Sequence, residues 1–417
     1  MIREKGMAGK AVWMISQLAG SKQHGMRFRD YYLAKEFLKK GYTPYIIAAS
    51  CSHLRSIQPR VHDTFTFEVI DGIHYIWVRV PDYQKSRSVG RALAMGVFAL
   101  RLFTLNTQKL MEPAAIVLNS LAPFPSVIAR RWARKFRCKL IFEVVDIWPL
   151  TIVEIGNISQ RHPFVVAMQF FADYAYRNSD FVVSVLPCSQ QYMVDHGMQK
   201  ENFVYIPNGT DGEILADGEP LSDEIVQKIP HEKFLVGYTG KLGVSNALDS
   251  LLKAAALLKE RTEIHILIVG DGVEKQRLEQ EARDLALRNV TFIDYINKNM
   301  IQPLLQLLDV CYIGVVKKPL FMLGVSPTKI FDYMLSGKPI LQAITAGNDI
   351  VGDADCGLSV EAENPEAIAR GILSLHAMDP GERKRLGDNA KSYVLRHHTY
   401  DKLVEKYIAL FDASHKQ

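Results

Sequence analysis

The chain has 417 residues, 48% hydrophobic and 23% charged, with 27 Gly and 18 Pro, the balance of an ordinary globular protein of two or three domains rather than a disordered, fibrous or collagenous chain. Its formal net charge of +5 hides an asymmetry, since residues 1–200 carry 26 basic and 14 acidic side chains while residues 201–417 carry 24 and 31, which implies two units with different partners. The five cysteines, Cys51, Cys138, Cys188, Cys311 and Cys356, are odd in number and far apart, which excludes a disulfide framework or a Cys-x-x-Cys metal pair and points to a reducing cytoplasm.

Short apolar runs bounded by Gly, Pro or Ser alternate with segments of helical period, the rhythm of βαβ units on parallel sheets. The fold class expected is therefore α/β, with two Rossmann-like doubly wound domains. No apolar signal core precedes the first strand, and the longest apolar run of the basic half, Ala92–Leu100, falls well short of the ~20 residues that cross a bilayer. The first half predicts strands over Ala11–Ser16, Pro44–Ala49, Ala115–Leu118, Leu140–Glu143 and Phe181–Val185, with helices over Met26–Lys40 and Ser126–Phe136. Thr64–Ile70 and Ile73–Val80 read as a hairpin closed by Asp71-Gly72, a turn pair suited to positive φ.

The loop Ala19–Gly25 after the first strand lacks the GxGxxG spacing, and no acidic residue closes the next strand, so an NAD or FAD site is disfavoured. Amides at the start of the following helix still suit an anion. Arg27 and Arg29 in its first turn oppose the helix dipole, which fits either a bound phosphate or a solvated basic turn.

Pro207–Glu224, dense in Gly, Asp and Pro, reads as a hinge linker. It divides the chain into 1–205, 206–395 and a terminal helix over 396–417 that packs back across the domains. The second half predicts strands over Phe234–Tyr238, Ile264–Val269, Val290–Ile293, Val310–Gly314 and Pro339–Ala343. The helices expected with them include Leu248–Lys259, Val273–Leu287, Arg383–Leu395 and Lys402–Phe411.

Three motifs of this half converge on one chemistry. Val236–Gly243 puts a small-residue loop with Gly240 and Lys241 just past a strand, where amides and an ammonium meet a diphosphate. Gly270-Asp271-Gly272 is a second close-approach turn. Ser326-Pro327 reads as a helix cap and first helical position, with Lys329 and Asp332 on one face of the helix behind it. A lysine for phosphate and a carboxylate for paired hydroxyls describe a nucleotide diphosphate-sugar site.

These residues carry a resemblance. Gly237–Lys253, the Gly270 turn, Phe292–Asp294 and SPTKIFDYMLSGKPI, together with FEVVDIWP, SVLPCSQQYMVDHGM and YIPNGTD in the first half, resemble family 4 glycosyltransferases in the family's order along nearly the whole chain. The match is closest to the bacterial branch that builds O-antigen, capsule and other surface polysaccharides, including transferases of N-acetylfucosamine-type sugars. The resemblance implies a GT-B enzyme whose two domains face a central cleft. It implies an acceptor bound by the first domain, a nucleotide sugar bound by the second, retention of configuration, and no metal or other cofactor.

Under that resemblance Lys241 faces the donor diphosphate and Asp332 the ribose, with Gly240, Gly270, Asp271, Ser326 and Lys329 as further donor contacts. His24, Gly25 and Arg27 are the acceptor candidates. The sequence departs from the family at two places: Gly324 stands at the first acid of the E-x7-E motif, and Asn246 where a second phosphate lysine often follows. Lys329 is the residue expected to supply the charge Asn246 lacks. Asp146, just past a strand, is the candidate that orients the acceptor or acts as base, Glu143 is the competing carboxylate, and a cap on the turn into Trp148-Pro149 is the structural alternative. His24, His53, His196 and the pair His397-His398 have no chelating spacing, so no metal site is expected.

Two segments could lie on an anionic membrane surface: Arg130–Lys139, which mixes cations with Trp132 and Phe136, and Ser86–Leu110, flanked by Arg87, Arg91 and Arg101. Ordinary packing of an amphipathic helix gives the same pattern. No nucleic-acid module accompanies the charge. The expectation is a cytoplasmic transferase, peripheral on the inner face of the plasma membrane, that moves a sugar from a UDP donor to a lipid-linked glycan. A nucleotide-sugar 2-epimerase of the same fold and a non-catalytic lipid- or glycan-binding scaffold are the alternatives.

Overall fold

A computed structural model describes residues 10–25, 28–83, 88–212 and 218–413. The chain forms two compact units, one of Met1–Pro207 with Tyr400–Gln417 and one of Asn208–Thr399. Arg27, an expected acceptor contact, lies outside the described residues.

In the first unit the strands are β1 (Ala11–Ile15), β2 (Thr43–Ala49), β3 (Phe65–Ile70), β4 (Ile73–Val78), β5 (Pro113–Asn119), β6 (Lys139–Val144), β7 (Phe181–Ser184) and β8 (Phe203–Tyr205). They form one sheet in the order β3-β4-β2-β1-β5-β6-β7-β8. Every pairing is parallel except the β3–β4 hairpin. Asp71 and Gly72 close that hairpin at φ 52° and 79°, the double positive φ its sequence calls for. The strand order reverses between β1 and β5, which opens a crevice at the carboxyl ends of those strands.

The last helix, Tyr400–Phe411, belongs to this unit. It stacks Tyr400 on Tyr32 and Phe411 on Phe37, and its Tyr407 hydroxyl donates to the buried Glu143. Arg29 completes the group: Nε lies 3.0 Å from Glu143, and the other guanidinium nitrogens reach the Pro207 and Ile206 carbonyls and the Tyr407 hydroxyl. The Arg29 charge is thus spent inside the unit, which removes it from the anion site expected at the first helix. Glu143, the competing catalytic carboxylate, is the other half of the same core ion pair. On Ser126–Phe136 the rings turn inward: Trp132 and Phe136 pack edge-on to Trp13 at 5.6 and 5.2 Å. Arg130 pairs with Asp180. Packing, not a lipid interface, accounts for the aromatic residues of this helix.

The second unit has β9 (Phe234–Thr239), β10 (Ile264–Val269), β11 (Val290–Ile293), β12 (Val310–Gly314), β13 (Ile340–Ala343) and β14 (Gly357–Val360). They lie in the order β11-β10-β9-β12-β13-β14, all parallel. The strands β9, β10, β12 and β13 are buried residue for residue, the mark of a parallel sheet covered on both faces. Its order reverses between β9 and β12. The described part of the expected hinge is tied into this unit: the Thr210 amide donates to the His398 carbonyl at 2.9 Å, Thr210 bridges Thr399, and the Glu219 amide donates to the Asn299 carbonyl at 3.1 Å.

Candidate functional site

The switch point of the second sheet places the loop after β9 beside the segment after β12. Gly240 follows β9 at φ 136° and Gly270 follows β10 at φ 145°. A Cβ on Gly270 would stand 1.9 Å from the Gly240 carbonyl oxygen, so only glycine lets the two turns approach. They are laced together: the Leu242 amide donates to the Asp271 carbonyl at 2.8 Å, and the Glu274 amide to the Leu242 carbonyl at 3.1 Å. The Asp271 carboxylate itself is exposed and accepts from the Gly272 amide at 2.7 Å.

Into this corner the helix Thr328–Ser336 sends Lys329. Its ammonium donates to the Tyr238 hydroxyl at 2.6 Å and to Asn246 Oδ1 at 3.3 Å, lies 3.9 Å from the Tyr238 ring centroid, and would meet a Cβ on Gly240 at 3.0 Å. Both hydrogen-bond acceptors are neutral. Among the described residues no carboxylate pairs with it, and burial pulls the ammonium down to about 7. Tyr238 and Asn246 both donate onward to the Lys241 carbonyl, at 2.7 and 2.9 Å, and the Lys241 side chain is exposed. Gly240, Lys241, Asn246 and Lys329 therefore form one network, with Gly270 and Asp271 stitched to its flank. Asn246, the residue that departs from the family's lysine, is itself a hydrogen-bond partner of Lys329.

Ser326 and Asp332 are engaged elsewhere. Ser326 does not cap the helix: Pro327 holds the cap position with no side-chain cap. The Ser326 hydroxyl instead accepts from the Asn208 amide at 3.0 Å, and its carbonyl from Asn208 Nδ2 at 2.7 Å. The competing donor from far along the chain decides the matter. Asp332 accepts from Thr210 Oγ1 at 3.1 Å through one oxygen and from the Lys298 ammonium through the other. Gly324, at the missing acid, is buried at φ 100°, and Asn348 braces the next residue by accepting from the Val325 amide and donating to its carbonyl.

In the first unit the two remaining acceptor candidates have structural partners. His24 is 8% exposed, its Nδ1 is 2.8 Å from Ser21 Oγ, and its ring packs edge-on to Trp77 at 5.2 Å. Burial lowers its pKa, which keeps the ring neutral near pH 7. Gly25 takes φ 78° and leaves no room for a Cβ against Ser56 Oγ, at 2.9 Å. Asp146 turns onto its own segment: Oδ1 accepts from the Ile147 amide at 2.9 Å and Thr151 Oγ1 at 2.6 Å, and Oδ2 from Trp148 Nε1 at 3.0 Å. That is a turn-capping carboxylate with both oxygens in use. Among the described residues no group of three or more His, Cys, Asp or Glu side chains converges as metal ligands would.

Two cavities of this unit carried no signal in the sequence. One, of about 690 Å³, is lined by Val89, Ala92, Trp148, Ile152, Ile155 and Phe164 among others. Beside it the helix Val89–Leu102 exposes Val89, Leu93 and Leu100 at 86%, 56% and 70%. The second, lined by arginines, serines and apolar side chains together, lies past the ends of β2 and β4. No helix among the described residues is long and apolar enough to cross a membrane.

Residues 25–209 match the glycosyl transferase 4-like domain, and residues 233–378 match the glycosyl transferases group 1 family. A curated relative, named "Putative colanic acid biosynthesis glycosyl transferase WcaI" in Escherichia coli strain K12, is 25% identical over 72% of this chain and 76% of its own. The sucrose-phosphate synthase of Thermosynechococcus elongatus superposes with a TM-score of 0.74 over 97% of this chain and all of that one, at 16% identity. Anabaena Alr3699/HepE, solved with UDP and glucose, superposes with a TM-score of 0.65 over 96% and 98%, at 15% identity. These likenesses carry the fold, that of GT-B glycosyltransferases. With both family domains matched in order, the chain belongs to the group 1, family 4-like glycosyltransferases.

Proposed function

We propose that this glycosyltransferase moves a sugar, with retention of configuration and without a divalent metal, from a UDP donor to a lipid-linked glycan in surface-polysaccharide assembly. One observation carries the donor site: the Lys329 ammonium, with only neutral acceptors, held beside Gly240 at the switch point of a parallel sheet. Nucleotides bind such sheets at that crevice. Breaking the bond to the anomeric carbon builds negative charge on the departing diphosphate, and a fixed cation with nearby amides stabilises that charge. Lys329 supplies the fixed cation and exposed Lys241 a mobile one. The departing phosphate takes the acceptor proton in this reading, and Asp146 holds the turn into Trp148.

UDP is favoured because Alr3699/HepE was solved with it, and surface polysaccharide because of the name of the E. coli relative. Gly324 in place of an acid suits a sugar with fewer hydroxyls to read, such as a deoxy-amino sugar. The exposed apolar side chains of Val89–Leu102 beside the apolar cavity support a lipid-borne acceptor and a peripheral place on the cytoplasmic membrane face. A thermal-shift panel of UDP, GDP and UDP-sugars tests the donor class, since a ligand at 100 times its Kd adds about 2.7 kcal/mol to stability. Selective stabilisation by uridine nucleotides is expected. Folded protein with no shift for any of them would overturn the reading.

A further inference from the structure

The second cavity of the first unit, about 1440 Å³ in volume, is lined by Ser50, Ser52, His53, Arg55, Arg79 and Arg101 among others, with Asp82 as its single carboxylate. Arg55 is the unusual member. It is 5% exposed, lies 5.1 Å from the Trp77 ring centroid, and gives one hydrogen bond, from Nη2 to the Ala49 carbonyl. Its Nε and Nη1 are buried with no hydrogen-bond partner, and no carboxylate pairs with it among the described residues. Burial pulls its pKa down to about 10. A buried guanidinium with two idle donors is costly to keep, and a fork of such donors matches the paired oxygens of a carboxylate or phosphate.

The other two arginines of the cavity are held in place by backbone. Arg101 donates to the Arg79 carbonyl and Arg79 to the His62 carbonyl, while His53 Nδ1 lies 3.4 Å from the Tyr83 hydroxyl. The cavity therefore combines three arginines with apolar walls from Val61, Val80 and Val97, and is lined from the segments that follow β2 and β4.

From the idle donors of Arg55 and the arginine-rich lining we infer that this cavity is an anion subsite of the first unit, taking an oxyanion carried by the acceptor. The inference rests on the transferase reading for the word acceptor. The oxyanion has two sources, the phosphate of a lipid carrier or the carboxylate of an acidic sugar.

The test titrates full-length protein, with UDP present at saturation to fill the second unit's site, against inorganic pyrophosphate in one arm and glucuronate in the other. Binding in one arm is expected and names the source. Arg55→Gln should weaken it at least tenfold and leave the separately measured UDP affinity unchanged. Arg101→Gln, on the wall of the same cavity, should weaken it several-fold and stands in if the Arg55 variant does not fold. Parent protein that takes neither anion, or variants that bind as the parent does, would overturn the subsite. Anion binding that depends on Arg55 in protein without affinity for UDP would instead support the subsite and sink the donor reading.

Discussion

Lys329 sits where its charge is expensive, and its chemistry follows from that. A lysine with folded pKa about 7 against an ordinary 10.5 leaves the unfolded chain holding one proton more between those values. Stability should therefore rise with pH from about 7 to about 10.5, the cost of the buried ammonium being fully present below 7. Lys329→Met should flatten that rise in chemical denaturation at a series of pH values. A diphosphate favours the charged form, so UDP binding at pH 8 should take up close to one proton, ~0.9 for a pKa near 7 raised well above 8. Calorimetry in buffers of different ionisation enthalpy reads that proton directly, and Lys329→Gln should abolish it. Around it, Gly240 and Gly270 are constrained by backbone: Gly270→Ala puts a Cβ 1.9 Å from the Gly240 carbonyl oxygen and should cost donor affinity and stability together.

Among the elements, the long strands were legible because parallel strands buried on both faces read as unbroken apolar runs, as in VWMI, ILIV and YIIAA. β8 and β14, FVY and GLSV, are too short to show a pattern, and their pairing is a tertiary fact. The Ser-Pro signature gave the helix at Thr328 but not its cap, because Asn208 competes for the Ser326 hydroxyl from 118 residues away. Arg29 read as part of either an anion-seeking or a solvated turn because Glu143 and Tyr407 lie 114 and 378 residues from it. Breaking that buried group by Glu143→Gln should destabilise the first unit by about 3–5 kcal/mol, measurable as a lower denaturation midpoint. Asp146 caps the turn into Trp148; if that is its whole role, the loss of activity in Asp146→Asn should track loss of stability, whereas a slower single-turnover rate in the fully folded variant would mark the acceptor-orienting or base role. The Arg55 cavity left no trace in the sequence, where Arg55 is one cation in an irregular loop.

At the scale of the whole molecule, the chain crosses to the second unit at Asn208 and returns at Tyr400, so the last helix completes the first unit. Ending the chain at Thr399 should expose Phe37 and strip Tyr407 from Arg29 and Glu143, leaving a first unit that no longer folds. For the proposed membrane contact, Val89→Asp with Leu93→Asp should reduce flotation with anionic vesicles, while Arg131→Glu with Arg134→Glu, on the solvated side of a core helix, should change it far less. The Gly240–Lys329 corner is the proposed seat of the donor diphosphate. Its most direct test is calorimetric titration of UDP into the parent and into Lys329→Gln at pH 7. Binding by the folded parent and at least a tenfold weaker affinity in the variant are expected. Equal affinity in the two would place the donor elsewhere.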